Sequence, residues 1–225
     1  MTFRLIVPAM MGLALIATPA FAKKKEPPVP AAAPVSAVVD TDPAHDPENV
    51  LILDLSDGGR VMIRLMPQWA PNHVERIKTL AQQGFYNGLI FHRVIDGFMA
   101  QTGDPGGTGA GGSPLPDLKS EFNAIPHLRG MVSMARTNEP DSANSQFFIV
   151  FYPRFTLDHK YTVFGRVISG MQYVDAIQRG EPPANPTKIV QASLASGGVP
   201  APVAAAPAPA AEAITADQLS NSASD

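Results

Sequence analysis

The chain has 225 residues, a formal net charge of -3, 45% hydrophobic residues and no cysteine. That length holds one or two domains. The absence of a basic excess argues against nucleic acid as a partner, because phosphate binding takes clustered Lys and Arg, and the absence of cysteine excludes disulfides and thiolate chemistry without fixing the compartment.

Met1 to Ala22 carries Arg4 near its start, an apolar run through Ile16 and the closing triplet Ala20-Phe21-Ala22. This is the pattern of a secretory signal peptide cut after Ala22. The run is short for a membrane span, and Pro8 and Pro19 interrupt it, so export without stable membrane insertion is expected, to the periplasm in a Gram-negative source. Residues 23–47 are rich in Lys, Pro and Ala and read as an extended linker. Residues 196–225 repeat Ala and Pro and read as a disordered tail, which leaves 48–195 as a single folded domain.

Within that domain two β-prone runs, Val50 to Leu55 and Arg60 to Leu65, flank Ser56-Asp57-Gly58-Gly59 and predict a hairpin. Ala70 to Gly84 predicts a helix: Pro71 suits the first helical position, Val74, Ile77, Leu80 and Ala81 form an apolar stripe, and Gly84 can end the helix in a left-handed conformation. Phe91 to Ile95, the turn pair Asp96-Gly97, and Phe98 to Gln101 predict a strand, a tight bend and a strand. Alternation then places Phe91, Arg93 and Ile95 on one face, and Met99 and Gln101 on one face of the next strand. Strands follow at Gly130 to Arg136, Gln146 to Phe151 and Tyr161 to Ile168, then a short helix at Gly170 to Gln178. A last strand at Thr187 to Ala192 can pair with the first. Short strands with only two helices, none placed as a regular crossover, argue for an antiparallel barrel or sandwich.

Several chemistries fail on spacing. Gly107 to Gly112 contains a literal G-x-G-x-x-G, but Pro114 and Pro116 follow where a dinucleotide site needs a helix. The histidines at 45, 73, 92, 127 and 159 lack metal-site spacing, and no serine sits in a G-x-S-x-G elbow, so no metal or other cofactor is expected. Asp104, Asp117 and Glu121 read as solvated carboxylates rather than an acid/base pair. His92, facing away from Arg93, reads first as a structural, hydrogen-bonding histidine. An arginine among large apolar residues can simply snorkel to water. Here Ser145-Gln146-Phe147-Phe148-Ile149 adds an amide and aromatics in the same β period, so an apolar wall with a few polar groups is expected.

The run FHRVIDGFMAQTGDP, the glycine-rich loop after it, and then GMVSMAR, SQFFI and LDHKYTVFGRV resemble, in order, the cyclophilin-type peptidyl-prolyl cis-trans isomerases over about Val50 to Gln191. The resemblance implies a mainly β fold, a closed eight-stranded antiparallel barrel capped by two helices, with the groove on its outer wall. It implies Arg93 and Gln101 as catalytic residues: Arg93 donating to the proline carbonyl and, in the twisted state, to the imide nitrogen, and Gln101 holding the guanidinium. Phe98, Met99, Phe148 and Leu157 would form the proline pocket and Tyr161 its border. Ala135 and Arg136 would face the residue before proline, Gln146 the adjoining groove, and Thr108 and His92 complete the substrate-binding set. Thr156 stands where many cyclophilins carry a tryptophan, which implies weakened cyclosporin binding. Expected partners are extended proline-containing chains, met by a monomer. The same pocket would also serve a non-catalytic peptide-binding chaperone module.

Overall fold

The computed structural model describes residues 36–198 and Pro200; the expected signal peptide, the linker residues 23–35 and nearly all of the tail lie outside the described residues. Eight strands are formed: β1 Val50–Leu55, β2 Arg60–Leu65, β3 Arg93–Ile95, β4 Met99–Thr102, β5 Met131–Met134, β6 Phe147–Val150, β7 Val163–Ser169 and β8 Ile189–Leu194. They make one sheet in the order β3-β4-β6-β5-β7-β2-β1-β8, every neighbour antiparallel. The expected hairpin and the pairing of the last strand with the first are both present.

The expected closed barrel is corrected: the sheet curls into a half-barrel whose edge strands β3 and β8 share no ladder. Strand β3 is only three residues long, and its outer edge is met by single bridges instead. Val94 pairs with Gly180, in the loop before β8, and Ile90 pairs with Lys188.

Alternation along the strands sorts the side chains into two layers. Phe147, Ile149, Ala100, Val132 and Met134 point into the curl and join the main core, which α1 Pro71–Gln82 and α2 Met171–Ala176 cover with Val74, Ile77, Leu80 and Val174. Met99, Phe148 and Val150 point outward and form a separate apolar cluster with Ile95, Phe98, Ala135, Leu157 and Tyr161. Strands buried on both faces are therefore apolar at successive positions. The predicted helix stops as expected, with Gly84 at φ 69. Its N-terminus lacks a capping side chain of its own, and Glu121 supplies one from a distant loop, accepting from the backbone N–H groups of Asn72 and His73.

Two expectations at the margins need adjustment. Phe91 lies in the main core beside Val94, not on Arg93's face, because regular strand begins only at Arg93. Part of the segment read as linker lies against the domain: the buried Arg64 guanidinium donates to the carbonyls of Asp40, Asp42 and Asp46, and Trp69 Nε1 donates to Ser36.

Candidate active site

The outward apolar cluster is the wall of a cleft of about 340 Å³ lined by Arg93, Phe98, Met99, Gln101, Gly109, Ala135, Arg136, Phe148, Leu157 and Tyr161. Register explains the assembly. Arg93 pairs with Gln101, Gln101 with Phe148, and Phe148 with Ser133, so one row running across β3, β4, β6 and β5 sets a cation, an amide and an aromatic ring side by side. A second cleft of about 360 Å³ adjoins it along the glycine-rich loop, with Gln101, Ala135, Arg136 and Gln146 among its walls.

A chain of hydrogen bonds separates the two clefts. Arg93 Nη1 donates to Gln101 Oε1 at 3.5 Å, Gln101 Nε2 to Gln146 Oε1 at 2.8 Å, and Gln146 Nε2 to the carbonyls of Gly109 and Gly111 at 3.0 and 2.7 Å. All donors point the same way, so each bond polarises the next. Arg93 Nε also donates to Glu181 Oε2 at 2.7 Å. Glu181 does not line the cleft, so this carboxylate holds the guanidinium without filling the slot.

Each of the remaining predicted residues has a defined place. Phe98, Met99, Ala135, Phe148, Leu157 and Tyr161 come together as expected, with Tyr161 edge-on to Phe148 at 5.8 Å between centroids. Arg136 is a wall of both clefts, its guanidinium pinned by donation to the carbonyls of Lys160, Thr137 and Asn138 and stacked 4.6 Å from the Tyr161 centroid. Thr108 lines neither cleft; its hydroxyl turns back to Asp104, and Gly109 forms the wall in its place. His92 lines neither cleft either. It is buried beneath Gly109, and no protein group among the described residues bonds either ring nitrogen, which corrects the reading of it as hydrogen-bonded. Burial pushes its pKa down, against the nearby Asp104 carboxylate, which favours the charged form.

The three carboxylates read as solvated have separate structural tasks. Asp104 is buried and accepts from the backbone N–H groups of Gly106, Thr108 and Gly109, shaping the glycine-rich loop. Burial works to raise its pKa, but the bonds from the loop's backbone N–H groups outweigh that and hold it below the usual aspartate range. Glu121 caps α1, and Asp117 accepts from Asn144. Behind the apolar wall of the cleft, Asp158 Oδ1 accepts from His127 Nδ1 at 2.8 Å, and His127 Nε2 lies 2.9 Å from Ser133 Oγ. This has the atom order of a hydrolytic triad, but Ser133 and His127 are wholly buried, so no substrate reaches the hydroxyl. The trio buttresses the cleft instead, with the His127 ring stacked 6.3 Å from Phe148.

The cleft thus offers an apolar slot, a cation at its edge and amides beside it. The family described as cyclophilin type peptidyl-prolyl cis-trans isomerase/CLD matches residues 50–194. A probable peptidyl-prolyl cis-trans isomerase of Brucella suis is 48% identical over 172 residues, covering 69% of this chain and 87% of that protein. Among solved structures, a cyclophilin from Hirschia baltica superposes with a TM-score of 0.63 at 32% identity, covering 67% of this chain and 75% of that one. A Cryptosporidium parvum cyclophilin-type isomerase, determined in the presence of the dipeptide Ala-Pro, gives 0.61 at 26%, covering 64% of this chain and 98% of that one. The match spans all eight strands and the cleft they carry, and on it the chain belongs to the cyclophilin-type peptidyl-prolyl cis-trans isomerases.

Proposed function

We propose that the isomerase turns over X-Pro bonds in extended segments of exported proteins, with Arg93 as the group that lowers the barrier. The observation that carries this is Arg93 paired with Gln101 in the lining of a cleft of about 340 Å³ whose apolar walls are Phe98, Met99, Phe148 and Leu157. Rotation about an X-Pro bond needs no nucleophile or proton transfer; the barrier is set by partial double-bond character, about 18–20 kcal/mol. In the twisted state the imide nitrogen regains a lone pair, so a donor beside it stabilises the transition state more than the planar ground state. A guanidinium suits that place, being permanently charged, planar and tolerant of partial desolvation. Phe98, Met99, Phe148 and Leu157 would hold the proline ring while Gln101 and Gln146 meet the flanking backbone.

Export rests on the leader-like pattern at Met1 to Ala22, and the periplasm and a monomeric state belong to the same reading. Arg93→Ala should lower kcat/KM on an Ala-Pro test peptide by about 100- to 1000-fold with the fold intact, the loss typical of one transition-state donor. A near-wild-type rate would remove Arg93 from the mechanism. Peptide binding without any acceleration by the wild type would leave only a chaperone module.

A further inference from the structure

We infer that Glu181 is a positioning residue for the reaction, acting through Arg93; this rests on the role proposed for Arg93 above. The loop between α2 and β8 is tied to the edge strand by a two-way bridge: Val94 N–H donates to the Gly180 carbonyl at 2.8 Å, and Gly180 N–H to the Val94 carbonyl at 2.9 Å. In an antiparallel pairing this makes Glu181 the cross-strand neighbour of Arg93, at the kind of position where facing side chains come closest. The row across the sheet therefore begins one residue earlier than the cleft does: Glu181, Arg93, Gln101, Phe148.

The division of the guanidinium follows from this. Glu181 Oε2 takes Nε at 2.7 Å, and Nη1 reaches Gln101. Among the described residues Nη2 has no hydrogen-bond partner. A long side chain at a sheet edge would otherwise sample several rotamers, most of them aimed at water. Anchoring Nε fixes the plane of the fork and leaves its free edge for a substrate carbonyl and the imide nitrogen. The pair is half-exposed, Arg93 at 41% and Glu181 at 53%, so it orients the cation without competing strongly for it. Glu181 is also the outermost acceptor of the chain that runs through Gln101 and Gln146 to the glycine-rich loop.

The test is a double-mutant cycle on the full chain with Glu181→Gln and Arg93→Ala, following exchange of an Ala-Pro peptide. Glu181→Gln keeps the backbone bridge and removes the charge. It should lower kcat by about three- to fivefold, the range open to one half-exposed ion pair, with KM unchanged because no cleft wall is altered. In the Arg93→Ala background it should have no effect. The Arg93 Nε–Hε resonance should show faster solvent exchange in Glu181→Gln than in the wild type, a change that a general loosening of the loop would not confine to that atom. Full kcat in Glu181→Gln, or the same loss with and without Arg93, would overturn the role of Glu181. Undiminished turnover in Arg93→Ala alone would instead overturn the function on which it rests.

Discussion

Arg93 is one member of a row, and its neighbours decide what it can do. A lone guanidinium on a strand edge snorkels; one flanked by Glu181 on one side and Gln101 on the other is held over the slot. Gln101 should matter less than Arg93, since its amide passes polarity along and does not itself carry charge. Thr156, exposed and outside the cleft lining, replaces the tryptophan common in the family, so cyclosporin should bind weakly. Thr156→Trp should raise that affinity by about tenfold or more, as a large interfacial aromatic with an N–H donor can; titration calorimetry on both proteins checks it, and equal affinities would show that position 156 does not face the ligand. Strand period around Arg93 and Phe148 made an apolar wall with a cation and amides legible, while the roles of the individual residues, Leu157 and Tyr161 among them, came only from the family resemblance. Glu181 was not legible, since it lies 88 positions from Arg93 in a loop and meets it only through the bridge at Val94. His92 and Thr108 were placed in the site by their position in a motif, whereas burial under Gly109 and the pull of Asp104 turn them away.

Two carboxylates organise elements rather than chemistry. Asp104 gathers three backbone N–H groups of the glycine-rich loop, whose Gly109 carbonyl in turn holds Gln146. Asp104→Asn keeps the size but converts an acceptor for several donors into a partial one. It should destabilise the fold by about 1–3 kcal/mol and raise KM more than it lowers kcat, measured by urea unfolding and steady-state kinetics. An unchanged KM would mean that the loop wall does not depend on this carboxylate. Glu121 does the same for α1, and Glu121→Ala should cost about 1–2 kcal/mol with kcat unaffected, since Glu121 lines neither cleft. Helix α1 itself was legible from its stripe and from Gly84, because both signals are local. The capping partner was not: position 121 is 48 residues beyond His73, and no local pattern announces such a contact.

At the scale of the molecule, buried and partly buried polar groups set the response to acid. His92 and His127 have lowered pKa values, burial being the first cause for both, so the unfolded chain binds protons more readily than the folded one as the pH falls below about 6.5. Asp104 and Glu121 have lowered values despite burial, held down by their hydrogen bonds, so their contribution is present above about pH 4 and is lost below it. Stability should therefore be level above about pH 7 and decline in two steps on acidification, the first absent in a His92→Gln, His127→Gln double variant that remains folded; urea midpoints across pH 3 to 8 measure it. The architecture was legible in part. The β1–β2 turn is written in Ser56 to Gly59 and the pairing of the last strand with the first was within reach of the strand pattern, but the order of the eight strands depends on contacts between distant segments that no local pattern gives. The family resemblance implied closure, and the brevity of β3 leaves the seam to isolated bridges.

The central claim is that Arg93 favours the twisted peptide over the planar one. Exchange spectroscopy on a saturating Ala-Pro peptide separates binding from on-enzyme rotation. Arg93→Ala should keep the dissociation constant within about threefold while interconversion of the bound cis and trans forms slows by about 100-fold or more. Bound-state interconversion as fast as in the wild type, or a loss of affinity that accounts for the whole loss of rate, would contradict it.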